Sequence, residues 1–341
     1  MIRVVVAEDS AVVRAHLVHL LDDDDRLTVV GEAADGEEAV TMAERQRPDV
    51  VVLDIHMPRM DGYEAARAIM QRTPTPIVMA TASANRADTR TAFDALEAGA
   101  LVVVEKPRGP GSPGAEDAAR ELIRTVRLMS EVKVVRRWPP RAPLPRGPEP
   151  RRAPAVIAMA ASTGGPAVLA AMLRQMDYEL GCPVLLVQHI SPGFTEAFAE
   201  WLGTATWRPV KLAANGEMTR PDTVYVAPAE RHLGIASGGR IVLRPRGAVN
   251  GFCPSASHLF CSVADAFGPA AAGVVLTGMG RDGAEGLGRL RKTGGVTIAQ
   301  DQASCVVFGM PAAAIESGAA ELVLSPDRIV STIRSLTGGR A

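Results

Sequence analysis

Short runs of β-branched and apolar residues alternate with amphipathic helical patterns along this chain, and that alternation leaves few folds open. In the first half the apolar runs fall at 2–7, 27–32, 49–53, 76–80 and 100–105. Helical periodicity falls near 10–22, 36–46, 62–72, 87–98 and 114–131. Strands joined by helices run parallel and are covered on both faces, so an α/β, doubly wound parallel sheet is expected. Function in such a sheet sits at the carboxyl ends of its strands.

The alternation stops between Val132 and Pro154, where seven prolines mix with six arginines. That composition cannot bury a core and predicts an extended tether. Without a binding fold around them, its arginines read as solvated charge rather than a nucleic-acid or membrane patch. The alternation resumes with strands at Ala155–Ala160, Cys182–Gln188, Ala271–Thr277 and Val296–Ala299. Thr223–Ala227, with His232–Ala236 and Arg240–Arg244 around Ser237-Gly238-Gly239, predicts an antiparallel hairpin inserted into this second sheet. The domains are therefore expected at 1–131 and 154–341, with a linker over 132–153.

At 341 residues, two domains can each bury a core. A formal charge of −1 gives no general attraction to nucleic acid. No apolar run is long enough to insert in a membrane, and Glu8-Asp9 interrupts what would be a secretion signal, so a cytoplasmic protein is expected. Cys182, Cys253, Cys261 and Cys305 are too scattered for a zinc or redox motif.

The strand ends of the first half carry Glu8, Asp9, Asp54, Thr81 and Lys106. Three converging carboxylates repel unless a cation lies among them, and hard oxygen ligands suit Mg²⁺. A hydroxyl and an ammonium opposite suit a phosphoryl group, with Asp54, alone at its strand end, as the nucleophile that carries it. The run Asp22 to Asp25, by contrast, reads as a solvated turn without partners.

These positions, with Met57-Pro58, Asp61-Gly62, Thr81-Ala82 and Lys106-Pro107, resemble the receiver domain of two-component response regulators, a flavodoxin-like fold. The resemblance implies a histidine kinase as phosphodonor, phosphorylation of Asp54, Mg²⁺ at Glu8, Asp9 and Asp54, and switching through Thr81 and Lys106. Val103 stands where that family usually has an aromatic residue.

In the second half, Ala161-Ser162-Thr163-Gly164-Gly165-Pro166 joins a strand to a helix. This puts a hydroxyl beside the free N–H groups of a helix start, where the paired glycines allow a carbonyl to approach. His189 and Asp282 also end strands, 27 and 93 residues further on, and parallel topology can bring all three to one edge. A nucleophile, a base and an orienting acid are the parts of a serine hydrolase. Singly, each has a plainer reading: a glycine turn, a half-buried histidine, a helix cap at Gly283. A rival reading takes Gly278-Met279-Gly280-Arg281-Asp282-Gly283, with Asp301 following, as a dinucleotide-binding turn. It accounts for neither Ser162 nor His189.

Residues 154–341 resemble the catalytic domain of the chemotaxis methylesterases, a Rossmann-like fold. The likeness rests on Ala161–Pro166, Gln188-His189, Val224–Pro228 with Arg231-His232, Leu276–Ala284, and Ala299–Asp301 through Ser304–Pro311. It implies hydrolysis of glutamate γ-methyl esters and deamidation of glutamines on chemoreceptor cytoplasmic helices, with no cofactor for hydrolysis. It implies a triad of Ser162, His189 and Asp282, with Thr163, Gly164 and the Met279 backbone lining the oxyanion site. Together with the receiver it implies that the unphosphorylated form is restrained. Two departures stand out: Ala160 replaces a usual glycine, and Cys253-Pro254-Ser255-Ala256-Ser257 lacks a usual arginine and aspartate. That altered loop motivates a second reading, a docking protein whose catalysis has decayed.

Overall fold

A computed structural model describes residues 1–81, 102–107, 109, 112, 114–132, 153–190, 193–245, 247 and 251–338. The helical pattern at 87–98 and nearly all of the tether lie outside the described residues. The chain divides into two compact units, Met1–Trp138 and Pro139–Ala341.

The first unit contains β1 (Ile2–Ala7), β2 (Leu27–Ala33), β3 (Val50–Asp54), β4 (Ile77–Thr81) and β5 (Val102–Glu105). They form one parallel sheet in the order β2-β1-β3-β4-β5. Every residue of β3 and β4 is buried, the pattern of strands covered on both faces rather than one. The helices are α1 (Ala11–Asp22), α2 (Gly36–Gln46), α3 (Gly62–Arg72) and α4 (Ala115–Ser130). α3 starts on a reciprocal cap, in which Asp61 accepts the N–H of Glu64 at 2.8 Å and the Glu64 carboxylate accepts that of Asp61 at 3.4 Å. Gly62 is required there because a Cβ would lie 2.1 Å from the Asp54 carbonyl oxygen. Strand order turns over at β1 and β3, which places Glu8 and Asp54 at the crevice where such sheets bind ligands.

One expectation in this unit fails. Two of the acids at 22–25 are partnered: Asp22 accepts the Val29 N–H at 2.7 Å, and Arg127 forks onto Asp24, its Nε at 3.0 Å from Oδ1. Arg127 arrives on α4 from 103 positions away, beyond any local reading.

The second unit is built on β6 (Val156–Ala161), β7 (Val184–Gln188), β8 (Val210–Leu212), β9 (Val224–Val226), β12 (Ala271–Val275), β13 (Val296–Gln300) and β14 (Leu322–Leu324). They form a parallel sheet ordered β14-β13-β12-β6-β7-β9-β8. Among the helices are α5 (Gly165–Gln175), α6 (Thr195–Thr206), α7 (Ala256–Phe267), α8 (Ala284–Lys292), α9 (Met310–Glu316) and α10 (Pro326–Thr337). The core gathers Leu185, Tyr225, Leu259, Phe260 and Leu287, all fully buried, each such side chain stabilising the fold by roughly 1.5–3 kcal/mol.

The antiparallel hairpin exists, as β10 (Arg231–Ala236) and β11 (Arg240–Pro245), but it forms a two-stranded sheet of its own. The run at 223–227 contributes β9, which is parallel to β7 on one side and β8 on the other and so offers the hairpin no edge. β10 leans instead on α7, where Ile235 N–H donates to Ser262 Oγ at 3.2 Å. Among the described residues no helix is long and apolar enough to cross a membrane.

Candidate active site

Strand order turns over between β12 and β6, and the residues that follow these strands and β7 meet there. Ala161 pairs with Gln188, and the His189 N–H donates to the Ala161 carbonyl at 2.9 Å, so Ser162 and His189 are the next residues on adjacent strands. On the other side the Ser162 N–H donates to the Thr277 carbonyl at 3.0 Å. Gly278 permits this approach, since a Cβ there would lie 2.7 Å from that of Ser162. Its carbonyl accepts the N–H groups of Gly309 and Met310 at 3.1 and 2.8 Å, anchoring the backbone beside Met279. Gly164 starts α5 at φ +78°, with Val306 2.5 Å from where a Cβ would stand. The Thr163 carbonyl accepts from Thr277 Oγ1 at 3.0 Å.

His189 and Asp282 are bonded, Nε2 to Oδ2 at 3.0 Å. Oδ2 also accepts the Ala256 N–H at 2.7 Å, while Oδ1 accepts the Ser255 hydroxyl at 3.0 Å and the N–H groups of Ser257 and Gly283 at 3.0 and 2.9 Å. Ala256 and Ser257 open α7, so the carboxylate also meets that helix's positive end. Burial pushes this carboxyl up, but the bond and charge of His189 and the backbone donors outweigh it and hold Asp282 at about 2. A depressed folded-state value stabilises the fold above about pH 4 and is lost as pH falls toward 2. Denaturant unfolding across that range is therefore expected to show wild type losing about 2 kcal/mol relative to Asp282→Asn.

With its Nε2 proton on Asp282, the His189 ring presents Nδ1 as a lone pair, and that buried atom has no hydrogen-bond partner. The Ser162 hydroxyl is not bonded to it; in free enzymes such bonds often form only once substrate is bound. One face of the ring stacks on Phe252, centroids 4.8 Å apart at 12°.

Several contributors escape sequence reading. Gln188, 4% exposed, donates through Nε2 to the carbonyls of both Ser162 and His189 at 2.9 Å, clamping the two turns. A buried glutamine next to a strand-end histidine was the available signal. Asp282 does not cap α8 at Gly283; it serves α7 through Ser255, Ala256 and Ser257. The altered loop at 253–257 thus supplies three of the donors that hold Asp282. Asp301, the acid of the dinucleotide spacing, accepts the Ser304 N–H at 2.9 Å in a local turn.

In the first unit, Lys106 Nζ bridges Glu8 Oε2 at 2.7 Å and Asp54 Oδ1 at 2.6 Å. Carboxylate oxygens of Glu8, Asp9 and Asp54 lie within 4.8 Å of one another, Asp9 being the exposed member. One ammonium cannot balance three carboxylates, and these hard donors fit a divalent cation. Burial first, then the Asp54 charge, push the Glu8 carboxyl up against the opposing effect of Lys106. Thr81 ends β4 buried, and its carbonyl accepts the Lys106 N–H at 2.7 Å. Val103 is half-buried in β5.

Known proteins resemble this arrangement closely. A family model described as CheB methylesterase matches residues 157–333, more than half the chain. The chain belongs to the CheB methylesterase family. A response regulator receiver domain model matches residues 4–112. Among curated members, a Myxococcus xanthus protein named protein-glutamate methylesterase/protein-glutamine glutaminase 4 is 49% identical, over 99% of this chain and 98% of its own. One of that name from Nitrosospira multiformis is 44% identical over 100% and 98%. The crystal structure of the Thermotoga maritima CheB methylesterase catalytic domain superposes with a TM-score of 0.51 at 34% identity, covering 54% of this chain and 99% of that one.

Proposed function

We propose that this member of the CheB family is a phosphorylation-activated serine hydrolase that demethylates glutamate γ-methyl esters, and deamidates glutamines, on chemoreceptor cytoplasmic helices. The observation that carries the reading is the His189–Asp282 pair, its Nδ1 unpartnered, at the end of the strand adjacent to the one that leads into Ser162. Nδ1 takes the Ser162 proton as Oγ attacks the ester carbonyl, and the imidazolium returns that proton to the departing methoxide, releasing methanol. Water, deprotonated by the same nitrogen, then cleaves the glutamyl-serine ester and restores the hydroxyl. For a glutamine the leaving group is ammonia and the remaining steps are unchanged. In the turn, Ser162 N–H is spent on Thr277 and Gly165 N–H on the Ser162 carbonyl, so Thr163 and Gly164 are the donors for the oxyanion, opposite the Met279 backbone. Methanol release by wild type and Ser162→Ala tests the reading.

In the receiver, Asp54 accepts the phosphoryl group of a histidine kinase, and Thr81 and Lys106 hold its oxygens. Glu8, Asp9 and Asp54 would hold Mg²⁺, which when bound neutralises charge on the incoming phosphoryl group. Acetyl phosphate with Mg²⁺ is expected to phosphorylate wild type and raise its methanol release. Asp54→Asn is expected to incorporate no phosphate while keeping the basal rate, and phosphate transfer to the mutant protein, read on a phosphate-affinity gel, would contradict the assignment.

A further inference from the structure

Three of the donors that fix Asp282 come from one short segment, Ser255 to Ser257, and that segment hangs on a histidine outside the site just described. His232 lies in β10, 2% exposed. Its Nε2 is 2.9 Å from the Gly247 carbonyl, and its Nδ1 is 3.2 Å from the Ser255 backbone nitrogen. A carbonyl can only accept and a backbone N–H can only donate. Both bonds therefore require one tautomer of the neutral imidazole, protonated at Nε2 and open at Nδ1. His258 is tilted against it, ring centroids 5.1 Å apart, and burial first, then His232 and Arg244, push the His258 imidazole below the ordinary range.

We infer that His232 is a positioning residue for hydrolysis, holding the Ser255 backbone so that the start of α7 presents its hydroxyl and N–H groups to Asp282. The path is continuous: His232 Nδ1 to the Ser255 N–H, Ser255 Oγ to Asp282 Oδ1, Asp282 Oδ2 to His189 Nε2. Ser255 also caps α7, its Oγ accepting the His258 N–H at 3.3 Å, so one residue ties the helix start to the acid. If Ser255 turns to find another acceptor for its N–H, the carboxylate loses its seat and the imidazole its orientation. His232 touches neither substrate nor nucleophile, so its loss falls on turnover rather than binding.

The inference rests on the triad reading, and the experiment separates the two. Full-length protein is assayed for methanol release from a helical peptide bearing a glutamate γ-methyl ester. His232→Phe keeps the ring volume and removes both nitrogens. His232→Gln keeps a neutral acceptor and donor. For His232→Phe, kcat is expected to fall about 10- to 100-fold with KM within about twofold of wild type, the scale of a small misplacement in a catalytic group. His232→Gln is expected to recover most of that kcat. If His232→Phe turns over like wild type, or loses binding alone, the positioning role is overturned while the triad stands. Should His232→Phe fail to fold, the Gln variant decides: kcat near wild type supports the role, and a folded Gln variant as slow as a site mutant overturns it. If wild type itself shows no Ser162-dependent release, the triad reading and this inference fall together.

Discussion

Asp282→Asn is expected to lower kcat about 10⁴-fold while leaving KM nearly unchanged. The size follows from what surrounds the carboxylate. With the amide nitrogen in place of Oδ1, it would face the N–H groups of Ser257 and Gly283, neither of which can accept. With the nitrogen in place of Oδ2 it would face the Ala256 N–H, and His189 could relieve the clash only by moving its own proton to Nδ1. That tautomer offers Ser162 a donor where a base is needed. Steady-state kinetics on the ester peptide, with circular dichroism to verify folding, measures this. A variant within tenfold of wild type would mean that the acid neither orients nor stabilises the imidazole.

Much of this molecule was legible from strand ends. Short β-branched runs become parallel strands when helical patterns separate them, and buried parallel strands line up their carboxyl ends, so Ser162 could be paired with His189 and Glu8 with Asp54 from spacing alone. The resemblance added roles to those positions. What stayed hidden came from long-range packing. Nothing near the run at 223–227 indicates that strands on either side would claim both its edges, which displaces the hairpin into a separate sheet. The partner of Asp24 is 103 positions away on another helix. The donors to Asp282 lie 25 to 27 positions upstream, in the loop whose departures from the family pattern hinted at lost chemistry. A carboxylate advertises itself in a sequence; the backbone N–H groups that hold it do not, because every residue except proline carries one.

The largest expected effect is at the nucleophile. Ser162→Ala leaves the His189–Asp282 bond, the Thr277 carbonyl contact and the Gln188 clamp in place, since all of these use other atoms. It removes only the oxygen that attacks, and losses of about 10⁶-fold in kcat are typical for a serine working with its base. Because Ser162 lies outside the acidic cluster of Glu8, Asp9 and Asp54, phosphorylation of Asp54 is expected to persist.

The most direct measurement is therefore methanol released from a γ-methyl-glutamyl helical peptide by the full chain, activated with acetyl phosphate, against the same chain carrying Ser162→Ala. Release by wild type and background alone from the variant is the predicted result. Equal release from both, or none from either, would contradict a hydrolase assembled from these three strand ends.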